Sequence, residues 1–288
     1  AGVPLGAALT PELVARVLAH AQGGLKHVPA RARVIPLINK VEDPATLEAA
    51  RECAQSLLAN PRIQAVILGA VRQEPPVREV QGRVAAVVLA AGSSSRMGQA
   101  KQLLAWPQGG TVLGAVVQRL HASGVSEIVV VVGQGREAVE AAVSAANVPG
   151  GPPVRTVFNP DFAVAEMARS LAVGLEALPA NCLAALVALG DQPQMRPAVV
   201  GKLLERWRAT QAPVVAPFFE GRRGHPLLFD RAVWGAVRAL PASANPRQAV
   251  QAAGQVERVD VEDDSILRDM DTPEAYAREL ARAAGIID

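Results

Sequence analysis

The sequence predicts an α/β protein. Its main part is a Rossmann-like, mainly parallel sheet with helices on both faces, preceded by a partial α/β segment. Three observations predict this. From Arg83 onward, short apolar runs alternate with helix-length stretches, the pattern of repeated βα units. Glycine or proline marks most of the boundaries between them. Half of the 288 residues are apolar but only 3% are aromatic, so the core is one of Ala, Val and Leu.

The first segment, residues 1–72, offers a helix at Pro11–Ala21 and a strand at Arg33–Ile38. A helix at Pro44–Leu58, with proline at a permitted early position, and a strand at Ile63–Leu68 follow. This is one β-α-β unit, too small to be a complete α/β domain. Residues 73–82 contain Pro75-Pro76 and little periodicity, and read as a linker. Ala1 opens the chain without methionine or a polar lead-in, which predicts that the natural start lies upstream.

In the main part, residues 83–288, strands are expected at Val84–Leu89, Glu127–Val132, Arg155–Phe158, Ala184–Leu189, Val214–Ala216 and Val256–Val261. The helices expected between and after them are Val112–Ser123, Arg136–Ala145, Met167–Leu178, Pro197–Ala209, Arg231–Leu240, Pro246–Ala253 and Pro273–Ala284.

Charge is nearly balanced, at +2, with no block of one sign, which argues against a nucleic-acid face or a polybasic membrane patch. No apolar run approaches the ~20 residues that span a bilayer, and no signal-peptide pattern is present. A cytoplasmic protein is the expectation. Cys53 and Cys182 lack metal or redox spacing and read as buried, reduced core residues.

The informative segment is Leu89-Ala90-Ala91-Gly92-Ser93-Ser94-Ser95-Arg96-Met97-Gly98-Gln99-Ala100-Lys101, placed directly after the first strand of the main part. Small side chains let a backbone approach phosphate closely and donate N–H groups to it. Arg96 and Lys101 add positive charge, and Lys101 is one of only four lysines against 25 arginines. Neither common phosphate loop fits. Five residues separate Gly92 from Gly98 and the lysine comes three later, which is not Walker A spacing, and the dinucleotide G-x-G-x-x-G is absent.

What fits is L-A-A-G-x-S-x-R-M-G-x-x-K, which resembles nucleotidyltransferases of the molybdenum cofactor cytidylyltransferase (MobA-like) family. The resemblance implies a nucleotidyltransferase sheet, with residues 89–96 and Lys101 binding a nucleoside triphosphate, and Arg96, Lys101 and Asp191 as catalytic residues. Leu189-Gly190-Asp191-Gln192-Pro193 resembles the family's metal-binding turn, and Asp269-Met270-Asp271-Thr272-Pro273 its D-I-D-T-P motif. Asp191 and Asp271 would then hold Mg²⁺ against triphosphate oxygens. Each also has an ordinary reading, since an Asp after a strand often caps a helix and Thr272-Pro273 makes a normal helix start.

Within the family, relatives that make the guanine form of the cofactor tend to carry L-A-G-G and those that make the cytosine form A-A-G. Ala90-Ala91-Gly92 matches the latter. A Cβ at residue 91 narrows the space beside the base and favours a pyrimidine. Gly221-Arg222-Arg223-Gly224-His225-Pro226 resembles the cytidylyltransferases' G-x-R-G-H-P motif, which puts Gly224, His225 and Pro226 on the acceptor side. The other reading of His225 is a histidine that fixes a turn before a strand. One departure stands out: where relatives have G-M-x-x-S-L, this chain has Glu166-Met167-Ala168-Arg169-Ser170-Leu171. A carboxylate near polyphosphate is repulsive unless it pairs with Arg169 or binds metal.

Residues from Leu5 to Val80 resemble the C-terminal part of an accessory protein of selenium-dependent molybdenum hydroxylases. Asn39-Lys40-Val41-Glu42 is an imperfect match to a guanine-reading N-K-x-D turn and reads better as a solvated strand-end turn. The combined expectation is transfer of CMP from CTP to molybdopterin with Mg²⁺, and a molybdenum hydroxylase as recipient of the product. Two alternatives stay open: the same fold with GTP or another phosphorylated acceptor, and a non-catalytic chaperone that binds the molybdenum cofactor.

Overall fold

The computed structural model describes residues 35–39, 41–60, 63–70, 73–92, 100–107, 110–164 and 167–286. They form two compact units. One takes the described residues of Ala1–Arg83 together with Ala180–Leu183 and Arg208–Gln211; the other takes the remainder.

The first unit contains β1 (Leu37–Ile38), α1 (Pro44–Leu58), β2 (Ala65–Gly69) and the first part of β3 (Val77–Ala90). β1 runs parallel to β2, with Leu37 opposite Ile67. Asp43 caps α1 by accepting from the Thr46 N–H at 2.9 Å, and Pro44 opens the helix. Asp43 therefore ends the supposed nucleotide-reading turn as a helix cap. One face of α1, carrying Ala50, Cys53, Ala54 and Leu57, packs with Ile38, Val66 and Leu68 into an apolar core. Burial pushes the Cys53 thiol pKa up, and both cysteines are buried and outside any disulfide, as expected.

The segment expected as a linker, residues 73–82, holds the start of β3, paired antiparallel with β2 so that Ala65 faces Gly82. The buried side of this strand carries Glu79 and Gln81. Glu79 accepts from the Arg51 guanidinium and from the Gln81 amide, at 2.6 Å from the latter. Burial of charge in paired form is permitted but breaks the apolar alternation by which a strand is read. The expected helix Pro11–Ala21 lies outside the described residues.

The second unit holds the rest of β3, then β4 (Ala105–Trp106), β5 (Gly110–Thr111), α2 (Val112–His121), β6 (Ile128–Val132), α3 (Arg136–Ala145), β7 (Val154–Phe158), α4 (Met167–Ala177) and β8 (Cys182–Leu189). Next come α5 (Pro197–Thr210), β9 (Val214–Phe219), β10 (Arg222–Arg223), β11 (Leu227–Asp230), α6 (Trp234–Arg238), α7 (Pro246–Ala253), β12 (Val256–Asp260) and α8 (Pro273–Ala283). The sheet order is β7-β6-β3-β8-β11-β9, with β12 and β10 also paired to β9. β3, β6 and β7 are parallel, Val87 facing Val129 and Val129 facing Arg155. β11 runs antiparallel to both β8 and β9, so the sheet is mixed and mostly parallel. β11 is four residues long and follows a proline, too short for a periodic signal. Val84–Val88 and the whole of β6 are buried, which is why these strands read as unbroken apolar runs.

Candidate active site

The site is built where β3 and β8 end side by side. The Gly190 N–H donates to the Leu89 carbonyl at 2.9 Å. A Cβ on Gly190 would lie 3.0 Å from both the Ala90 Cβ and the Leu89 carbonyl oxygen, so glycine lets the two strand ends close up. The Ala90 carbonyl also accepts from the buried Gln102 amide at 3.4 Å. At Ala91 the chain passes Gly133, where an added Cβ would come within 2.6 Å of the Ala91 carbonyl oxygen and the Phe162 Cβ. Gly92 is different: it is exposed, and a Cβ there would meet nothing. No packing need explains that glycine. Ser93, Ser94, Ser95 and Arg96 lie outside the described residues, as do Lys40 and Glu166.

Lys101 begins a 3₁₀ turn, and its side chain is almost wholly buried. Its ammonium is paired with Asp271 and stands 3.7 Å from Asp191 Oδ2. Asp191 stands two residues after the end of β8, behind Gly190. Asp271 precedes Thr272, which caps α8 by accepting from the Ala275 N–H at 3.2 Å. The helix-start reading of Thr272-Pro273 therefore holds together with the convergence of Asp271 on Lys101. Between the two aspartates of this segment, Met270 is buried against Trp106, Val112 and Ala115. Burial raises the Asp191 pKa; Lys101 opposes that rise, and the negative charges of Asp271 and Asp269 add to it.

No cluster of three or more His, Cys, Asp or Glu side chains able to hold a metal occurs among the described residues. A stand-alone cage is therefore not present among the described residues. The donor set fits Mg²⁺ in another way, since that ion is commonly held by one or two carboxylates plus substrate phosphates. Asp191 and Asp271, about a third and a half exposed, both lie on the Lys101 ammonium and would offer two hard oxygen donors to an ion held there.

Across β3, Leu89 lines an apolar pocket with Met167, Leu171, Val187, Phe229 and His225. The turn holding His225 is tight: a Cβ on Gly224 would lie 2.3 Å from the Ile266 carbonyl oxygen, which accepts from the His225 N–H at 3.0 Å. Pro226 is buried beside it. The imidazole Nδ1 is buried without a hydrogen-bond partner. Burial, helped by the charge of Arg223, pushes the His225 pKa down to about 4. His225 is thus neutral at pH 7, and it does precede a strand, β11. Arg169, offered above as one of two ways to offset Glu166, pairs with Asp161 at 2.8 Å.

The structure brings Leu89, Ala90, Ala91 and Gly92 together with Gly190 and Asp191, and joins Asp191 to Asp271 through Lys101. His225 reaches the same region only through the pocket at Leu89. Gln102, Gly133 and Gln194 were missed in the sequence. Single polar or glycine residues without a motif carry no spacing signal.

Strand ends that carry a glycine loop and carboxylates on a mostly parallel sheet define an α/β domain of the nucleotidyltransferase type. The chain belongs to the MobA-like NTP transferase family, whose domain matches residues 86–259. It is 28% identical over 191 residues to the molybdenum cofactor cytidylyltransferase of Escherichia coli, covering 66% of this chain and 92% of that protein. It is 32% identical over 205 residues to nicotine blue oxidoreductase of Paenarthrobacter nicotinovorans, covering 68% of this chain and 96% of that one. Among solved structures, a nucleotidyl transferase from Methanothermobacter thermautotroptrophicus superposes with a TM-score of 0.59 at 26% identity, over 71% of this chain and 99% of the other. No helix among the described residues is long and apolar enough to cross a membrane.

Proposed function

We propose that the chain joins CMP from CTP to molybdopterin and releases pyrophosphate, with Mg²⁺ bound between Asp191 and Asp271. The observation that carries this reading is the convergence of Lys101, Asp191 and Asp271 where β3 and β8 end. A terminal phosphate oxygen of molybdopterin forms a bond to the α-phosphorus of CTP, and the bond to the leaving pyrophosphate breaks. The attacking phosphate is already ionised near pH 7, so no general base is required. Two anions must meet, and positioning with charge neutralisation supplies the catalysis. Bound Mg²⁺ would spread the charge of the triphosphate. Lys101 supplies a fixed ammonium to the same oxygens, the backbone at Ala91 and Gly92 lets the phosphates come close, and Arg96 adds charge. Ala91 favours cytosine over guanine at the base, and Gly224, His225 and Pro226 face the acceptor.

Similarity to the cytidylyltransferase of Escherichia coli supports the choice of acceptor and nucleotide. The resemblance of the N-terminal segment to a molybdenum hydroxylase accessory protein supports cytoplasmic delivery of the product to such an enzyme. Pyrophosphate release from CTP, GTP and the other triphosphates, with and without molybdopterin and Mg²⁺, tests the reading. Release that needs CTP, metal and molybdopterin together is expected. Equal use of GTP removes the Ala91 argument, and release with a sugar phosphate instead of molybdopterin changes the acceptor.

A second reading rests on the relative that is named as an oxidoreductase and is more similar in identity than the transferase. On that reading the fold serves a chemistry without pyrophosphate release. Conversion of nicotine blue by a protein that releases no pyrophosphate from any triphosphate would establish it. The non-catalytic chaperone differs from both in binding the molybdenum cofactor without turnover.

A further inference from the structure

The turn after β8 and the segment before α8 are joined by side-chain amides at one point. Gln194 Nε2 donates to the Arg268 carbonyl at 2.6 Å. Gln192 Nε2 reaches the same carbonyl at 3.3 Å and Asp269 Oδ1 at 3.5 Å. Both glutamines are at least nine-tenths buried. Gln194 lies three residues after Asp191, and Arg268 three residues before Asp271, so the link stands at equal chain distance from the two carboxylates.

That segment needs such a link. Residues 268–271 belong to neither helix nor strand. Asp191 and Asp271 are like charges that converge on the single Lys101 ammonium, and two carboxylates brought together push apart. Met270 anchors one side of the segment in the apolar cluster with Trp106. Nothing in that apolar contact fixes the backbone along the direction towards β8, and apolar packing is non-directional. A buried amide-to-carbonyl hydrogen bond is directional and strengthened by its low-dielectric surroundings.

We propose that Gln194, assisted by Gln192, is a positioning residue that sets the separation of Asp191 and Asp271 and so the affinity of the site for a divalent cation. The inference rests on the reading of these two carboxylates as metal ligands but not on the identity of the acceptor. Residues that orient metal ligands from behind typically change metal affinity by about 10–100-fold when lost.

The test is Mn²⁺ binding to the full chain with saturating CTP, followed by electron paramagnetic resonance, in the wild type, Gln194→Met and Gln192→Met. The Met side chain keeps length and apolar bulk and removes the donor. Gln194→Met is expected to weaken Mn²⁺ by about 10-fold or more, Gln192→Met less, with CTP affinity measured without metal unchanged in both. Lost turnover should return as the metal concentration is raised. An unchanged Mn²⁺ constant in Gln194→Met overturns the proposal. So does a parallel loss of CTP and Mn²⁺ affinity, which marks a general folding defect; if Gln194→Met fails to fold, Gln192→Met decides by the same criteria. A wild type that holds no Mn²⁺ with CTP sinks both this inference and the metal reading. A wild type that binds Mn²⁺ with CTP yet releases no pyrophosphate with molybdopterin overturns only the acceptor, and weaker Mn²⁺ in Gln194→Met then still supports the link.

Discussion

The Lys101 ammonium is paired with Asp271, which lies 170 residues further along the chain, and stands 3.7 Å from Asp191. One buried cation therefore balances two carboxylates that arrive on separate loops. Without it, two like charges would face each other in a half-buried setting. On the proposed function the same ammonium would also meet the triphosphate, so a bound nucleotide and the two aspartates would draw on one positive charge.

Lys101→Met is therefore expected to lower kcat/KM for the triphosphate by about 10²–10³, the usual loss when one preorganised charge-stabilising donor is removed. Lys101→Arg keeps the charge but replaces a compact ammonium by a planar fork, and should recover only part of the loss. Steady-state pyrophosphate release measures both. Wild-type rates in Lys101→Met would remove the lysine from the site.

Asp191 lies on the opposite side of this balance. Burial holds its pKa above the ordinary 3.8 despite Lys101. A carboxyl whose folded pKa is raised contributes stability that is complete below its unfolded pKa and is lost as pH rises through the folded pKa. At pH 7 the ionised group is thus a liability for the fold. Asp191→Asn should raise Tm at pH 7, and the gain should shrink as the pH approaches 3.8. Metal-dependent turnover should fall by at least about 10²-fold in the same variant. Calorimetry across pH, paired with activity, separates a ligand kept at the expense of stability from a plain surface aspartate.

The strands and helices of the second unit were legible where one period dominates. Arg136–Ala145 and Pro246–Ala253 match their expected bounds, because a glycine or an Asn-Pro step opens each helix. The first half of β3 was hidden by Glu79 and Gln81, whose burial depends on Arg51 from another element. The resemblance already grouped Lys101, Asp191 and Asp271 around one triphosphate. Spacing alone could not, since their meeting in the fold depends on the order of β3 beside β8 and on the burial of Met270.

His225 should titrate far below the normal histidine range, near pH 4, because burial and Arg223 both disfavour its charged form. A histidine with a lowered folded pKa makes the protein lose stability as pH falls from the unfolded value of 6.5 through about 4, since the unfolded chain binds the proton first. His225→Gln should flatten that acid limb while leaving stability at pH 8 little changed. Two-dimensional NMR of the imidazole gives the pKa directly. An inflection near 6.5 would mean that the ring is solvated and that the pocket at Leu89 is open to water.

Gly133 tests the approach of the loop itself. Its missing Cβ leaves room for the Ala91 carbonyl oxygen, which an added methyl would meet at 2.6 Å, with Phe162 equally near. Phe162 is a side chain and can shift, but the Ala91 carbonyl belongs to the backbone at the loop's first turn. Gly133→Ala should therefore cost about 1–3 kcal/mol of stability through overpacking. It should also displace Ala91 and Gly92, weakening triphosphate binding more than metal binding by Asp191 and Asp271. Gly201→Ala is the matched control, because a Cβ there meets nothing and its helix, α5, gains propensity. Chemical denaturation and CTP titration of the two variants give the comparison. Equal CTP affinity in both would mean that the loop start is free to move without consequence for the nucleotide.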